Sequence, residues 1–370
     1  MKVYEGPKLG FVVKGATSLE TYTFYYKALN NNTISAASTA SVPTYVFPPK
    51  YRLYVSDHAQ HRVIRFHANG TFDRNFVLPS AGGLHKPWGI TEGPTATSDL
   101  YVSSEGQGGV FQFERCSGRD LGMLAYAPGQ PRGIAFHTNQ AAQSHLYVAE
   151  RYNNRVLKFD AATGNELGTF ANVPSPWGLR FQSLPGSSKT DLFITSDIDN
   201  NVFRTDGENG ASISKYLDTP VDAASGLDFS GTGHHLFVTG PYTKTTTRFV
   251  ASTTKGTASG IYGQHDEYAS EWGTPEGEIG GYEPTYSNPA AAYRCQGLTH
   301  HNQSLFVACG DQIRVYDADT GEFSHVFGHT VSEGWAEGNT HTRGEANRTV
   351  AKITPTLKGM KATFIRWILD

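Results

Sequence analysis

Imidazole and carboxylate side chains recur at matching points along this chain of 370 residues. Asp57, His58 and His61 follow one apolar run, and Glu150 and Arg151 follow another. Imidazoles and carboxylates that converge from separate segments can ligate a divalent ion such as zinc or calcium. Such an ion polarises a carbonyl and activates water, and a neighbouring His or Glu can act as the base. This chemistry requires a fold that brings the separate segments together.

A repeated Leu-aromatic-(Val/Ile) pattern indicates which elements would position these residues. Its copies begin 44–69 residues apart, at Leu53, Leu100, Leu146, Leu192, Leu236 and Leu305. Strand-like content with a period of about 40–50 residues is typical of β-propeller blades. The sequence therefore predicts an all-β fold, a six-bladed β-propeller whose blades are four-stranded antiparallel sheets.

Each repeat carries four strand patterns. The innermost strand follows Pro-x-Gly-(Ile/Leu), as in Pro87–Ile90, because only glycine fits where strands crowd the central axis. The Leu-aromatic run is the second strand, and alternating segments such as Arg155–Phe159 form the third. The fourth strand follows a tight turn that ends in glycine, as at Gly164.

The first repeat has no Pro-x-Gly strand directly before its Leu-aromatic run. Thr44–Phe47 and the C-terminal run Ala362–Leu369 are the two segments that could supply this strand. We expect Thr44–Phe47 to do so, because consecutive elements of a chain usually pack beside each other.

The turns between the second and third strands resemble those of NHL repeats. Tyr54–Asp57 with Gln60–Val63, and Tyr147–Glu150 with Asn153–Val156, carry this resemblance, which covers roughly residues 51–330. NHL repeats form six-bladed propellers that include enzymes, RNA binders and adhesion modules. The resemblance therefore implies the fold and leaves the function open.

Three segments are expected along the chain. Residues 1–43 resemble part of a fibronectin type III domain, with Leu19–Leu29 carrying its tyrosine corner; a generic β-hairpin is an equal alternative. Residues 44–330 form the predicted propeller, and an acidic, aromatic insert at about 250–294 in blade five is either a binding loop or a surface excursion. Residues 331–370 form a tail that docks on the insert, stays disordered or closes the ring.

The loops after the second and fourth strands of a propeller share one face, which we call the mouth face. The repeats place a set of ligand-binding candidates there: Asp57, His58, His61, His85, Glu150, Arg151, Asp197, Asp199 and Asp222, with Trp272 from the insert. The candidate metal ligands are Asp57, His85, Glu150 and, from the insert, His265. Alternatively, Asp57 and Glu150 cap their turns by accepting hydrogen bonds from nearby backbone N–H groups.

Peptidylglycine amidating lyase and the gluconolactonases resemble this plan, with a metal ion at the mouth. The three histidines of the lyase have no residue-by-residue match, since His85 is the only histidine directly before an innermost strand. The gluconolactonase carboxylate on the first innermost strand is also missing. A second histidine set falls at the opposite face, where we expect turn-end polar residues: His137, His145, His234, His235, His300 and His301.

Cysteine usage points to an oxidising compartment. Cys295 and Cys309 lie on the two strands of one predicted hairpin, where a cross-strand disulfide is expected, and Cys116 is left free. Asn-x-(Ser/Thr) sequons add modest support for an extracellular glycoprotein; they occur at Asn31, Asn69, Asn302 and Asn347. The first six residues lack an apolar region, so we expect no signal peptide in the chain as given.

Charge and hydropathy narrow the classes of partner. The net charge of −3 disfavours a nucleic-acid-binding face. The chain contains no run of 18 apolar residues, so the sequence predicts no membrane-spanning helix. The leading hypothesis is a secreted recognition module that binds a protein or glycan at the mouth face. The alternative is an extracellular metal-dependent lyase or hydrolase, lactonase-like or amidating-lyase-like, that holds one calcium or zinc ion at the same mouth.

Overall fold

The structure is a computed structural model. It describes residues 51–68, 70–95, 98–241, 245–262, 295–310, 312–328, 360 and 362–369, and also four two-residue strands before residue 51. The chain divides into two compact units: residues 1–51 with 369–370, and residues 52–368.

In the first unit, β1 (Thr21–Tyr22) pairs antiparallel with β4 (Thr44–Tyr45), and β2 (Leu29–Asn30) pairs with β3 (Thr33–Ile34). The strands β1, β2 and β3 lie within residues 1–43, the segment expected to resemble a fibronectin type III domain, and β4 follows that segment. That resemblance and the three proposed segment boundaries remain predictions.

The second unit contains six four-stranded antiparallel sheets, as the repeat predicted. We number the blades from the first repeat. Blade one is β28 (Ala362–Leu369), β5 (Tyr51–Asp57), β6 (Arg62–Phe66) and β7 (Phe72–Val77), and blade two is β8 (Pro87–Glu92), β9 (Leu100–Ser104), β10 (Gly109–Phe113) and β11 (Asp120–Tyr126). A single 3-10 turn among the described residues, Ala81–Gly83, precedes blade two.

The remaining blades follow in chain order. Blade three is β12 (Pro131–Thr138), β13 (Ser144–Glu150), β14 (Arg155–Asp160) and β15 (Glu166–Asn172), and blade four is β16 (Pro176–Ser183), β17 (Thr190–Ser196), β18 (Asn201–Asp206) and β19 (Ser214–Lys215). Blade five is β20 (Leu227–Phe229), β21 (His235–Gly240), β22 (Thr245–Ala251) and β23 (Gly256–Tyr262), and blade six is β24 (Cys295–His301), β25 (Ser304–Cys309), β26 (Gln312–Asp317) and β27 (Phe323–Phe327).

The innermost strand of blade one corrects one expectation. The structure pairs β28, Ala362–Leu369, with β5, so the C-terminal segment closes the ring and Thr44–Phe47 does not. The physical reason is apolar content: Ile365 and Trp367 are buried in the cluster between blades six and one, and Ile368 is buried between blades one and two. The C-terminal segment therefore gains apolar burial on both sides of blade one.

The core lies between blades. One apolar cluster, for example, joins Tyr54 and Val63 of blade one to Ile90 and Val102 of blade two, and similar clusters fill the other interfaces. Burial of apolar area on both faces of each sheet supplies the main stabilising term.

Glycines and hydroxyls set the close spacing of the innermost strands. A Cβ on Gly133 would lie 2.5 Å from the backbone oxygen of Trp177, so no larger residue fits there. Thr195 Oγ1 accepts a hydrogen bond from the Gly178 N–H at 2.7 Å and donates to the Ser225 carbonyl of the next blade at 2.6 Å. Hydroxyls at the same place on other second strands also donate to the following blade: Ser56, Ser103 and Thr239.

A disulfide joins Cys295 and Cys309, which are directly paired on β24 and β25. Cys116 is free and exposed. None of the helical residues that the structure describes forms a segment long and apolar enough to cross a membrane.

Candidate functional site

Each second strand ends beside the start of its own innermost strand, which builds the mouth face. The Glu105 N–H donates to the Lys86 carbonyl at 3.1 Å, and the Arg151 N–H donates to the Gln130 carbonyl at 3.3 Å. Two positions therefore alternate around the mouth: the residue after each second strand, and the residue between Pro and Gly on each innermost strand.

An arginine packs on two tryptophans at the second of these positions. Trp88, Arg132 and Trp177 occupy it in blades two, three and four, and we call them the tryptophan–arginine cluster. The Arg132 guanidinium carbon lies 3.9 Å from the Trp88 ring centroid and 4.9 Å from that of Trp177. Trp88 and Arg132 are each 5 % exposed, so the cation–π contacts are shielded from water and correspondingly strong.

Glu105 ties this cluster to its neighbours. Its carboxylate accepts hydrogen bonds from Trp88 Nε1 at 2.6 Å and Arg132 Nη1 at 2.6 Å. Gln130 Nε2 donates at 3.0 Å, and His58 Nε2 lies 3.1 Å away. Burial alone would raise the pKa of Glu105, but the His58 hydrogen bond and the Arg132 charge outweigh it and hold that pKa below its usual value.

The residues after the second strands form a row in which basic and acidic side chains alternate. His58, Glu105, Arg151 and Asp197 hold this position in blades one to four. Arg151 Nη2 lies 2.7 Å from Asp197 Oδ2, and the Arg151 guanidinium also lies 5.1 Å from the Trp177 ring centroid. The row and the tryptophan–arginine cluster thus form one continuous network across four blades.

Two apolar side chains stand exposed beside this network. Tyr152 is 65 % exposed and Ile198 is 63 % exposed, and they occupy the same loop position in blades three and four. They flank the Arg151–Asp197 ion pair. Exposed aromatic and apolar groups around fixed charges are typical of a recognition surface.

Asp57 and Glu150 are engaged in structural contacts. Asp57 is fully buried, with Arg62 Nε 2.8 Å from its Oδ2. Glu150 is also fully buried and accepts from the Gly129 N–H at 2.9 Å and from Arg155 Nε at 2.6 Å. Both carboxylates thus hold turns at the ends of second strands.

His61 and His85 form a ring pair, with centroids 4.2 Å apart. The Lys86 N–H donates to Nδ1 of His61 at 3.1 Å, so the proton of the neutral ring is on Nε2. That tautomer leaves no ring lone pair of His61 for a metal. Burial, and then the charge of His85, lower the pKa of His61 and favour the neutral form.

The other predicted mouth residues lie apart from this network. Asp199 pairs with Lys215 at 3.1 Å, and Asp222 is exposed. Trp272 and His265 lie outside the described residues. Within the described part of the chain, no group of three or more His, Cys, Asp or Glu side chains is placed to hold a metal ion.

Sequence reasoning missed Glu105, Gln130 and the tryptophan–arginine cluster as site residues. The innermost strands were identified by proline and glycine, and Glu105 fell in a turn that departs from the repeat. The available signal was the residue between Pro and Gly, which changes from Trp to Arg to Trp in successive blades.

Several histidines of the opposite face pack against aromatic rings. His137 stacks on Phe181 with centroids 4.3 Å apart, and His301 stacks on Trp367 at 4.8 Å. Burial lowers the pKa of His301. His137 and His301 therefore belong to the packing of neighbouring blades.

No protein-family model matches this chain, and no curated protein matches it either. Among solved structures, a chain of the nidogen–laminin complex has a TM-score of 0.57 at 10 % identity, covering 86 % of this chain and 98 % of that chain. A streptogramin B lyase has a TM-score of 0.48 at 13 % identity, with 86 % and 90 % covered. A gluconolactonase from Xanthomonas campestris has a TM-score of 0.46 at 15 % identity, with 64 % and 74 % covered. The first of these likenesses shows that this chain has the fold of a known β-propeller.

Proposed function

We propose that this chain is a secreted recognition module that binds a protein or glycan at the mouth face. The observation that carries the proposal is the network around Glu105, Arg132 and Arg151, with exposed Tyr152 and Ile198 beside it. Ion pairs and hydrogen bonds among its charged side chains fix their positions, so the surface is rigid before a partner binds. Rigid aromatic and arginine side chains contribute much of the binding energy at protein interfaces.

Two further observations support an extracellular setting. The Cys295–Cys309 disulfide is of the kind that persists in oxidising compartments. The sequon residue Asn302 is exposed in the turn between β24 and β25, where a glycan would have room. One structural neighbour comes from a complex of nidogen with laminin, which agrees with a protein partner for this fold.

The test is binding of the full chain to arrays of extracellular proteins and of glycans. We expect a ligand whose binding falls at least tenfold in Tyr152→Ala and in Ile198→Ala. Leu167→Ala is the matched control, because Leu167 is 54 % exposed at the start of β15, at the opposite end of blade three. Equal losses in all three variants, or no ligand on either array, would count against the proposal.

Elemental analysis distinguishes this recognition module from the alternative function, a metal-dependent lyase or hydrolase. About one equivalent of zinc or calcium in extensively dialysed protein, lost in His85→Ala, would favour the enzyme. A metal-free, folded protein that binds through Tyr152 would favour the recognition module.

A further inference from the structure

Two segments of blades four and five are bonded together on the mouth face: the turn after β17 and the loop before β20. The Val221 N–H donates to the Asn200 carbonyl at 2.9 Å, and the Ala223 N–H donates to Asn200 Oδ1 at 2.8 Å. These bonds hold carboxylates of the two segments beside an exposed apolar side chain. We call the residues concerned the acidic lip: Asp197, Ile198, Asp199 and Asp222.

Asp197 has one carboxylate oxygen without a hydrogen-bond donor. Arg151 directs both of its bonds to Oδ2, from Nη2 at 2.7 Å and from Nε at 3.2 Å. The other oxygen, Oδ1, is buried and accepts no hydrogen bond from the residues that the structure describes. The Asp197 side chain is only 10 % exposed. A buried carboxylate oxygen without a donor is costly, so a further donor at this point would be stabilising.

The acidic lip also has one carboxylate more than its cations balance. Arg151 is paired with Asp197, and Lys215 Nζ lies 3.1 Å from Asp199 Oδ1. Asp222 is exposed and forms no hydrogen bond or ion pair within the described part of the chain. Three carboxylates therefore stand against two cations, and the remaining negative charge faces solvent.

Apolar and aromatic groups accompany these carboxylates. Ile198 is 63 % exposed between Asp197 and Asp199, and Tyr152 is 65 % exposed next to Arg151. The Arg151 guanidinium carbon lies 5.9 Å from the Tyr152 ring centroid, so this ring already attracts one cation. A long aliphatic side chain with a charged end fits such a surface, because its stem packs on apolar groups while its head meets the carboxylates.

We propose that the acidic lip binds a lysine or arginine side chain presented by a protein partner. This inference rests on the proposed function, and it selects a protein over a glycan as the ligand. The aliphatic stem packs on Ile198, and the cationic head lies among the carboxylates. The head compensates the charge of Asp222 and supplies the donor that Asp197 Oδ1 lacks. A neutral glycan would leave the charge of Asp222 uncompensated.

Methyl NMR of the full chain, labelled at the isoleucine δ-methyl groups, is a direct readout, because Ile198 lies within the acidic lip. Ile198→Val assigns its signal. The probe is Nα-acetyl-lysine methylamide, and Nα-acetyl-norleucine methylamide is its uncharged counterpart with the same stem. We expect the lysine probe to shift the Ile198 signal saturably and to bind about fivefold more tightly than the norleucine probe. Equal binding of the two probes, or no shift with lysine, would overturn the proposal.

Charge variants test the carboxylates themselves. Asp222→Asn and Asp197→Asn should each weaken binding of the lysine probe about fivefold, and added salt should weaken it in the parent. Glu322→Gln is the matched control, since it removes an exposed carboxylate from the turn before β27 on the opposite face. Asp222 has no contact to lose, so its variant remains informative if Asp197→Asn fails to fold. Unchanged binding in Asp222→Asn would contradict the site.

The array experiment and the probe experiment can fail separately. An array ligand that depends on Tyr152 and Ile198, together with no preference for the lysine probe, would refute the cation site and leave the recognition module standing. A selective lysine response without any array ligand would support the cation site alone.

Discussion

The Arg132 guanidinium lies against the face of Trp88, 3.9 Å from its ring centroid, and at the same time donates from Nη1 to Glu105 at 2.6 Å. One side chain therefore joins the aromatic part of the mouth to its charged part. Its removal would leave Glu105 buried with fewer positive neighbours.

Arg132→Gln is expected to lower the free energy of unfolding by about 3 kcal/mol, because a buried ion pair loses one partner. Urea unfolding of the variant and the parent measures the difference. Arg119→Gln, at an exposed arginine paired with Glu114, should change stability by less than about 0.5 kcal/mol. Similar changes in the two variants would refute a special role for Arg132.

Acid should expose the contribution of Glu105. Its pKa is lower in the folded chain than the usual value of 4.5, so the unfolded state takes up a proton first as the pH falls. The stabilisation by Glu105 is present above about pH 4.5 and is lost as the pH falls through the folded value. Unfolding midpoints of the parent and Glu105→Gln, measured from pH 6 to 3, should therefore converge at low pH. A constant gap between the two curves would show that the carboxylate charge does not matter.

Partly buried histidines should make stability begin to fall at a higher pH than Glu105 does. Burial lowers the pKa of His300 and of His301 from the usual 6.5, so the unfolded state binds protons first below that pH. Stability is retained above about pH 6.5 and declines as the pH falls towards the folded values. His301→Gln should reduce the slope between pH 6.5 and 5.5 by up to about 1.4 kcal/mol per pH unit. His234→Gln, at an exposed histidine, is the control variant.

The disulfide should stabilise blade six substantially. Cys295 and Cys309 are 14 residues apart and almost fully buried, and closing a loop of this length is worth about 3 kcal/mol in the chain-entropy description. Cys295→Ser with Cys309→Ser should lower the unfolding midpoint by several degrees, and a reducing agent should then have no further effect. Cys116→Ser, at the free exposed cysteine, is the control. If a reducing agent lowered the unfolding midpoint of the parent and of the double variant equally, the prediction would be refuted.

The C-terminal strand should be indispensable to the ring. Ile365 is fully buried between blades, and truncation of a buried isoleucine to alanine costs about 2–5 kcal/mol. Ile365→Ala should show this loss in urea unfolding, whereas Leu167→Ala at an exposed position should not. A loss below about 0.5 kcal/mol would mean that β28 contributes little to closure.

The repeat pattern was sufficient to predict the blades because strand alternation and turn glycines are local features. The third-strand segment Arg155–Phe159, for example, begins its observed strand at the predicted residue. Ring closure was not predictable in this way, since Thr44–Phe47 and Ala362–Leu369 have equally strand-like sequences. The C-terminal segment pairs with β5 and buries Ile365, Trp367 and Ile368 against two blades, and such contacts depend on distant parts of the chain.

The site was predicted only in part for a related reason. His58, Arg151 and Asp197 follow directly from the repeat, because they occupy one position in blades one, three and four. Glu105 occupies the same position, but its turn contains three glycines between Gly106 and Gly109 and hides the alignment. Its role depends on donors from blades one and three, and such contacts between blades have no local sequence signature.

Blade one has a consequence for the order of folding. Thr363 Oγ1 donates to the Ser56 carbonyl across a separation of 307 residues, so two strands of one sheet are synthesised far apart in time. During translation, the backbone groups of β5 that pair with β28 have no partner strand until β28 has left the ribosome. Closure of the circle is therefore a late event in biosynthesis, and until then chaperones and misdirected strands compete for the same open edge.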